Sequence, residues 1–172
     1  MSMLQLSRTL IGRNVLSLRN GQIIGRTMSV IINPDSLKIE GIYCAPSEGK
    51  NQLILLPLDI RDVLAQGVVV DDIEALTDPA ELVRLHKIIA YEYTPLGKQV
   101  IDTNKTKLGK VSDYAYNTDN FYVQKIYASQ SILRNFLGGN VGIDRSQIQE
   151  VTPKKIIVDS TLNTLPVGAP AA

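Results

Sequence analysis

The fold is decided by the stretch Gly12–Tyr43, GRNVLSLRNGQIIGRTMSVIINPDSLKIEGIY, which returns in altered form as Gly97–Tyr127, GKQVIDTNKTKLGKVSDYAYNTDNFYVQKIY. Each copy has a glycine, a long alternating segment, an Asx-rich turn that starts at Asn33 or Asn117, and a second segment that ends in Ile-Tyr. These features are hard to match in one order by chance. A period this long is typical of a tandem domain rather than a solenoid.

Within each copy the pattern predicts long strands joined by tight turns. Asn20-Gly21 suits a type I′ hairpin turn, and the segment 23–32 that follows is rich in β-branched residues. The returning strand changes the phase of its alternation in both copies, which predicts a β-bulge near Gly41 and near Lys125. Small barrels use such bulges to bend a strand around a corner.

The match extends on both sides of this stretch. Met3–Ser7 alternates as a half-buried strand does and is matched with Ile88–Glu92, while near the far end Asp59 is matched with Asp144 and Val70 with Val158. The sequence therefore predicts a first domain over 3–75, a helical linker over 76–87 that starts at the Asp78 cap, a second domain over 88–159 and a flexible tail over 160–172.

Composition narrows the function classes. The 172 residues are 44% hydrophobic with a net charge of +1, so no strong field indicates nucleic acid or a membrane surface. The single cysteine, Cys44, forms no internal disulfide and is expected in the core. No apolar run approaches the roughly 20 residues of a membrane span, and the first residues lack the pattern of a signal peptide, so a cytoplasmic protein is expected.

The repeated pattern resembles the PRC-barrel domain. The motifs that show the resemblance are, in order, Leu-Ile-Gly-Arg-Asn-Val, a glycine turn, Ile-Gly-Arg, an Asn-Pro-Asp turn, Leu-Pro-Leu-Asp-Ile and Val-Val-Val-Asp-Asp. The resemblance covers residues 3–75 better than 88–159. It implies a mainly β chain of two small PRC-type β-barrels in tandem, joined by a short helix. Family members include the cytoplasmic barrel of the photosynthetic reaction-centre H subunit, the part of a ribosome maturation factor that binds a small-subunit protein, and adaptors in archaeal cell division. The resemblance thus implies a barrel that docks other proteins.

The residues give little sign of reaction chemistry. His86 is the only histidine and has no second histidine or cysteine with which to build a metal site. The acidic pairs Asp59/Asp62 and Asp71/Asp72 are expected to be solvated turn residues, and no serine lies in a nucleophile elbow. We therefore expect no enzyme activity, no cofactor and no metal.

Divergence between the copies is more informative. Residues 1–85 hold eight Lys/Arg and ten Asp/Glu, whereas 86–172 hold ten and seven. The first part has one aromatic residue, Tyr43, and the second has all the others. Tyr114, Tyr116 and Phe121 replace apolar residues of the first copy and are expected in the second core. The remaining rings are available for an interface.

Interface candidates follow from the alternation. Tyr93 replaces Arg8 and Tyr122 replaces Lys38 at outward positions, and exposed tyrosines are enriched at protein interfaces. Leu133 and Phe136 lie in an apolar loop that is either a short helix packed on the barrel or a docking element.

Two hypotheses remain open. In the first, the chain is a non-enzymatic adaptor that binds through these residues either another protein or, in a homo-oligomer, a further copy of itself. In the second, it is an RNA-processing or ribosome-maturation factor that contacts a ribosomal protein or RNA. Its phosphate contacts would be three lysines of the second hairpin, Lys105, Lys107 and Lys110. With so little net charge, nucleic-acid binding would be weak.

Overall fold

The chain forms two compact units. The computed structural model describes residues 2–130 and 139–160, together with the backbone of 166–167. Its first unit is Gln5–Tyr93, and its second unit joins Met1–Leu4 to Thr94–Ala172. The expected mainly β composition is confirmed, since each unit is built on one sheet.

The first unit carries a seven-stranded sheet. Before this sheet comes β1 (Leu4–Leu6), and the sheet itself contains β2 (Asn14–Ser17), β3 (Ile23–Asn33), β4 (Lys38–Pro46), β5 (Leu53–Leu55), β6 (Ile60–Leu64), β7 (Gly67–Val70) and β8 (Leu76–Thr77). Their order across the sheet is β6-β7-β2-β3-β4-β5-β8. All neighbours are antiparallel except β2 and β7, which run parallel.

The second unit repeats this topology. Its strands are β9 (Gln99–Asp102), β10 (Lys107–Asn117), β11 (Val123–Ser129), β12 (Asn140–Asp144), β13 (Ile148–Val151), β14 (Lys155–Val158) and β15 (Pro166–Val167). The order β13-β14-β9-β10-β11-β12-β15 matches that of the first sheet strand for strand, and β1 pairs with β10 in addition. One pair is again parallel: β9, the counterpart of β2, with β14, the counterpart of β7. Among the described residues neither sheet closes into a barrel, because each path keeps two ends.

Register confirms the duplication at the level of residues. Val15 faces Gly25 in the first sheet, as Val100 faces Gly109 in the second. Both long pairs also carry register shifts at corresponding places. The sequence predicts one of these shifts in each pair. In β4 the extra residue is Glu40, beside Gly41, and in β11 the corresponding extra residue lies beside Lys125. The predicted bulges are therefore confirmed.

The late part of the predicted match is wrong by three residues. Ile42 faces Leu55, and its counterpart Ile126 faces Ile143, so Asp144 corresponds to Leu56 rather than to Asp59. The match of Val70 with Val158 holds, because they face Ile60 and Ile148 in the final hairpins. Matching one aspartate with another gives the wrong correspondence here, because only the hydrogen-bond register shows which residues are equivalent.

The segment after β8 differs from the predicted helix. Asp78 caps it as expected, since its Oδ1 accepts a hydrogen bond from Ala80 N at 2.9 Å. However, Pro79–Glu81 and Val83–Leu85 are single 3₁₀ turns, separated by Leu82 with a non-helical ψ of 62°. The α-helix, α1, spans His86–Tyr91, so it begins where the prediction had it end. Residues 88–91, matched with a strand, are thus helical.

Each unit has its own apolar core. The cores of the two sheets are formed by equivalent positions, among them Val15, Ile42 and Val68 in the first unit, none of which is exposed. The expectation for the second core is confirmed: Tyr114, Tyr116 and Phe121 are all buried, and the rings of the last two stack with centroids 5.6 Å apart. Among the described residues, no helix has the length and apolar character needed to cross a bilayer.

Candidate protein-interaction surface

The residues expected at an interface have different environments. Tyr93 is only 5% exposed, and burial raises its pKa to about 12. The expectation of an exposed ring fails because it assumed a strand, whereas Tyr93 follows α1 and the left-handed residue Glu92. Leu133 and Phe136 lie outside the described residues.

Tyr122 is half-buried rather than freely exposed. The guanidinium carbon Cζ of Arg145 lies 5.1 Å from its ring centroid, within the range of a cation–π contact. Arg145 Nη1 also donates a hydrogen bond to the carbonyl oxygen of Val123 at 3.1 Å. Arg145 therefore covers part of the surface that the tyrosine was expected to offer.

A different surface emerges in the first unit. A groove of about 650 Å³ is lined by the turn Leu56–Leu58, by the segment Glu81–Leu85 and by the start of β4 at Lys38–Glu40. Leu58 and Val83, both at this groove, are 73% and 72% exposed, more than any other large hydrophobic side chain of the described residues. We call this surface the Leu58 groove.

The second unit has the same turn with opposite chemistry. The register places Asp144, Arg145 and Ser146 where the first unit has Leu56, Pro57 and Leu58. Both segments run through a 3₁₀ turn into the next strand. The backbone therefore does not require the leucines.

The polar version of the turn is satisfied within its own unit. Asp144 makes an ion pair with Lys125 (Oδ1 to Nζ, 3.4 Å) and forms a capping box with Gln147. Arg145 packs on the ring of Tyr122. An exposed apolar residue is ordinary when single, but several exposed apolar side chains with polar residues around them are a feature of interaction surfaces.

The candidate phosphate contacts are only partly brought together. Lys105 and Lys107 line a cleft of about 660 Å³ with Lys155, which we call the lysine cleft. Lys110 does not line it and lies on β10 opposite Gln99. Sequence reasoning missed Lys155 because only the parallel pairing of β14 with β9 brings it next to Gln99.

The turn of the lysine cleft is built on Asp102. Its Oδ1 accepts hydrogen bonds from the backbone N–H groups of Asn104 and Thr106 at 2.9 and 2.8 Å. Lys105 adopts a left-handed conformation between them, with φ of 65°. The carboxylate thus fixes the loop from which two of the lysines project.

The groups considered for chemistry have structural surroundings. Asp71 accepts two hydrogen bonds from Arg61, at 2.7 and 3.0 Å, and this ion pair lowers the pKa of its carboxyl. Asp72 caps the next 3₁₀ turn through Glu74 N. Cys44 is fully buried, and burial raises the pKa of its thiol to about 12. No group of three potential metal-ligating side chains occurs within the described part of the chain.

The sheets define a duplicated, mainly β protein. Comparison with protein-family models finds no match, and comparison with curated proteins finds none either. The function is therefore inferred from the geometry of the chain itself.

Proposed function

We propose that the chain is a non-enzymatic adaptor built from two PRC-type modules, and that its Leu58 groove is a protein-binding surface. The observation that carries the proposal is that Leu58 and Val83 are both highly exposed and line one groove. The second unit builds the turn that corresponds to Leu58 from Asp144, Arg145 and Ser146. The order of the strands, repeated in both sheets, supports two equivalent modules. The PRC type of these modules is proposed from the resemblance of the sequence pattern alone.

The groove suits the centre of an interface. Fully burying a leucine or valine side chain gains about 1.5–3 kcal/mol. In most interfaces a few buried residues near the centre dominate the binding energy. Charged side chains line the groove together with the apolar ones, and a polar rim is typical of interfaces: Lys38, Glu40, Glu81 and Arg84. Tyr122, Leu133 and Phe136 remain a second candidate surface on the other unit.

Affinity capture with matched variants tests the proposal. The tagged chain is used to capture partners from the source cell, and the captured proteins are quantified by mass spectrometry. Leu58→Asp places a charge at the groove and should lower capture of the specific partner at least about tenfold. Ser146→Asp makes the same change at the equivalent exposed turn and should leave capture unchanged. Equal capture by all three chains would remove the Leu58 groove from the account.

The alternative function is an RNA- or ribosome-associated factor. The observation that favours it is the lysine cleft, where Lys105, Lys107 and Lys155 line one concave surface. Three phosphate contacts would give a weak and strongly salt-dependent interaction. The adaptor function is preferred because the cleft is an ordinary solvated lysine surface, whereas two highly exposed apolar side chains, Leu58 and Val83, line one groove, as at many interaction sites.

A further inference from the structure

Charges around the Leu58 groove are balanced in sign. One wall carries Lys38 and Glu40 at the start of β4, and the other carries Glu81 and Arg84 in the 3₁₀ segment. Each wall therefore offers one cation and one anion. The salt bridges of the described residues involve none of Glu40, Glu81 and Arg84.

This balance of charge is compatible with a second copy of the chain as the partner. A rim of one sign would repel a copy of itself, and like charges brought together across an interface are strongly unfavourable. A balanced rim gives a highly charged partner no advantage, but it lets a second copy place cation opposite anion. On a twofold axis any such pair is formed twice, because residue i then contacts residue j and j contacts i. The net charge of +1 does not oppose such self-association.

We infer that the occupant of the Leu58 groove is the same groove of a second copy, in a twofold-symmetric homodimer. The inference rests on the proposed function of the groove and names its partner. In this dimer the β4 wall of one copy faces the 3₁₀ wall of the other, so Glu40 lies opposite Arg84 twice, and Leu58 and Val83 are covered. With few apolar anchors, the dimer is weak and depends on protein concentration.

Sedimentation equilibrium of the purified full chain tests the dimer. Across the micromolar to sub-millimolar range the average mass should rise from the 18.9 kDa of the monomer toward twice that value. Leu58→Asp should remain monomeric throughout, and Ser146→Asp should behave as the wild type. A wild-type chain that stays monomeric at the highest concentration, or a Leu58→Asp chain that dimerises equally well, would overturn the inference.

A charge exchange tests the twofold geometry. Glu40→Arg or Arg84→Glu alone places two like-charged pairs across the interface and should weaken dimerisation about tenfold. The double variant restores opposite charges and should recover most of the wild-type affinity. If it remains as weak as the single variants, the facing arrangement is wrong. A monomeric wild type that still captures a partner through Leu58 would leave the proposed adaptor function standing without the dimer.

Discussion

Leu37 and Phe121 share one left-handed backbone conformation at the same place in the two units, with φ of 53° and 59°. Each N–H donates to the carbonyl oxygen of the asparagine that starts its turn, Asn33 at 2.8 Å and Asn117 at 2.9 Å. Both side chains are nevertheless buried, with 4% and 6% exposure. The left-handed conformation costs about 1–2 kcal/mol. We infer that the burial of these two side chains in the cores offsets this cost.

Substitutions at Leu37 should invert the usual order of alanine and glycine. Leu37→Ala loses about 2–5 kcal/mol of packing and keeps the backbone strain. Leu37→Gly loses the same packing but relieves the strain, so we expect it to be more stable than Leu37→Ala by about 1 kcal/mol. Urea unfolding of both variants measures the difference.

Ile39 provides the control in an ordinary strand position, fully buried in β4. There glycine should be the worse substitution by about 0.5–1 kcal/mol. If glycine is also worse than alanine at Leu37, the left-handed turn does not carry the strain assigned to it.

Two glycines should respond differently to asparagine. A Cβ at Gly25 would lie 2.8 Å from the carbonyl oxygen of Ala45, so any side chain there forces the backbones of β3 and β4 apart. At Gly21 nothing lies within 4 Å and φ is 66°, a conformation that asparagine tolerates. We expect Gly25→Asn to lower the melting temperature markedly and Gly21→Asn to change it little. Similar losses at both sites would contradict the close approach of the strands.

The buried thiol of Cys44 should make stability fall at alkaline pH. Its pKa rises from an ordinary value near 9 to about 12 on folding. The unfolded chain therefore loses this proton first, so the contribution is complete below about pH 9 and is lost as pH rises toward 12. The decrease is at most about 1.4 kcal/mol per pH unit.

Cys44→Ala isolates this effect from the tyrosines with raised pKa values, which titrate at alkaline pH as well: Tyr43, Tyr93 and Tyr114. Unfolding free energies of the wild type and the variant are compared from pH 8 upward. We expect the wild type to lose stability more steeply. Parallel curves would show that the thiol is not protected by the fold.

The lysine cleft separates the two functions. Under the adaptor function, the triple replacement of Lys105, Lys107 and Lys155 by glutamate should leave every captured protein in place. Lys110→Glu changes the charge outside the cleft and is the control. Loss of an RNA-dependent association in the triple variant but not in Lys110→Glu, with a steep salt dependence, would favour the ribosome-associated alternative.

Much of the fold could be predicted from periodicity and turn residues. The Asx turns, the bulges beside Gly41 and Lys125 and the buried Tyr116 all follow from local patterns that the two copies repeat. The parallel pairing of β2 with β7 could not be predicted, because these strands are far apart in the sequence and their residues do not indicate which strand each one pairs with. The helix over residues 88–91 was missed since its residues match an alternating segment that forms β1 in part.

The candidate site was harder to predict than the fold. Alternation along the sequence predicts exposed rings at Tyr93 and Tyr122. Tertiary packing overrides this prediction, because Tyr93 is buried and Arg145 covers part of Tyr122. The Leu58 groove was overlooked because the late repeat was matched three residues out of register. Correctly aligned, Leu56-Pro57-Leu58 against Asp144-Arg145-Ser146 would have marked the surface from sequence alone.

Photo-crosslinking at two equivalent positions tests most directly whether the chain meets a protein at this surface. A photoreactive amino acid is introduced in place of Leu58 in one chain and in place of Ser146 in another, and both are irradiated in the source cell. The account predicts a discrete protein adduct from position 58, either with a second copy or with a partner, and none from position 146. No adduct at position 58, or an equal yield at both positions, would contradict it.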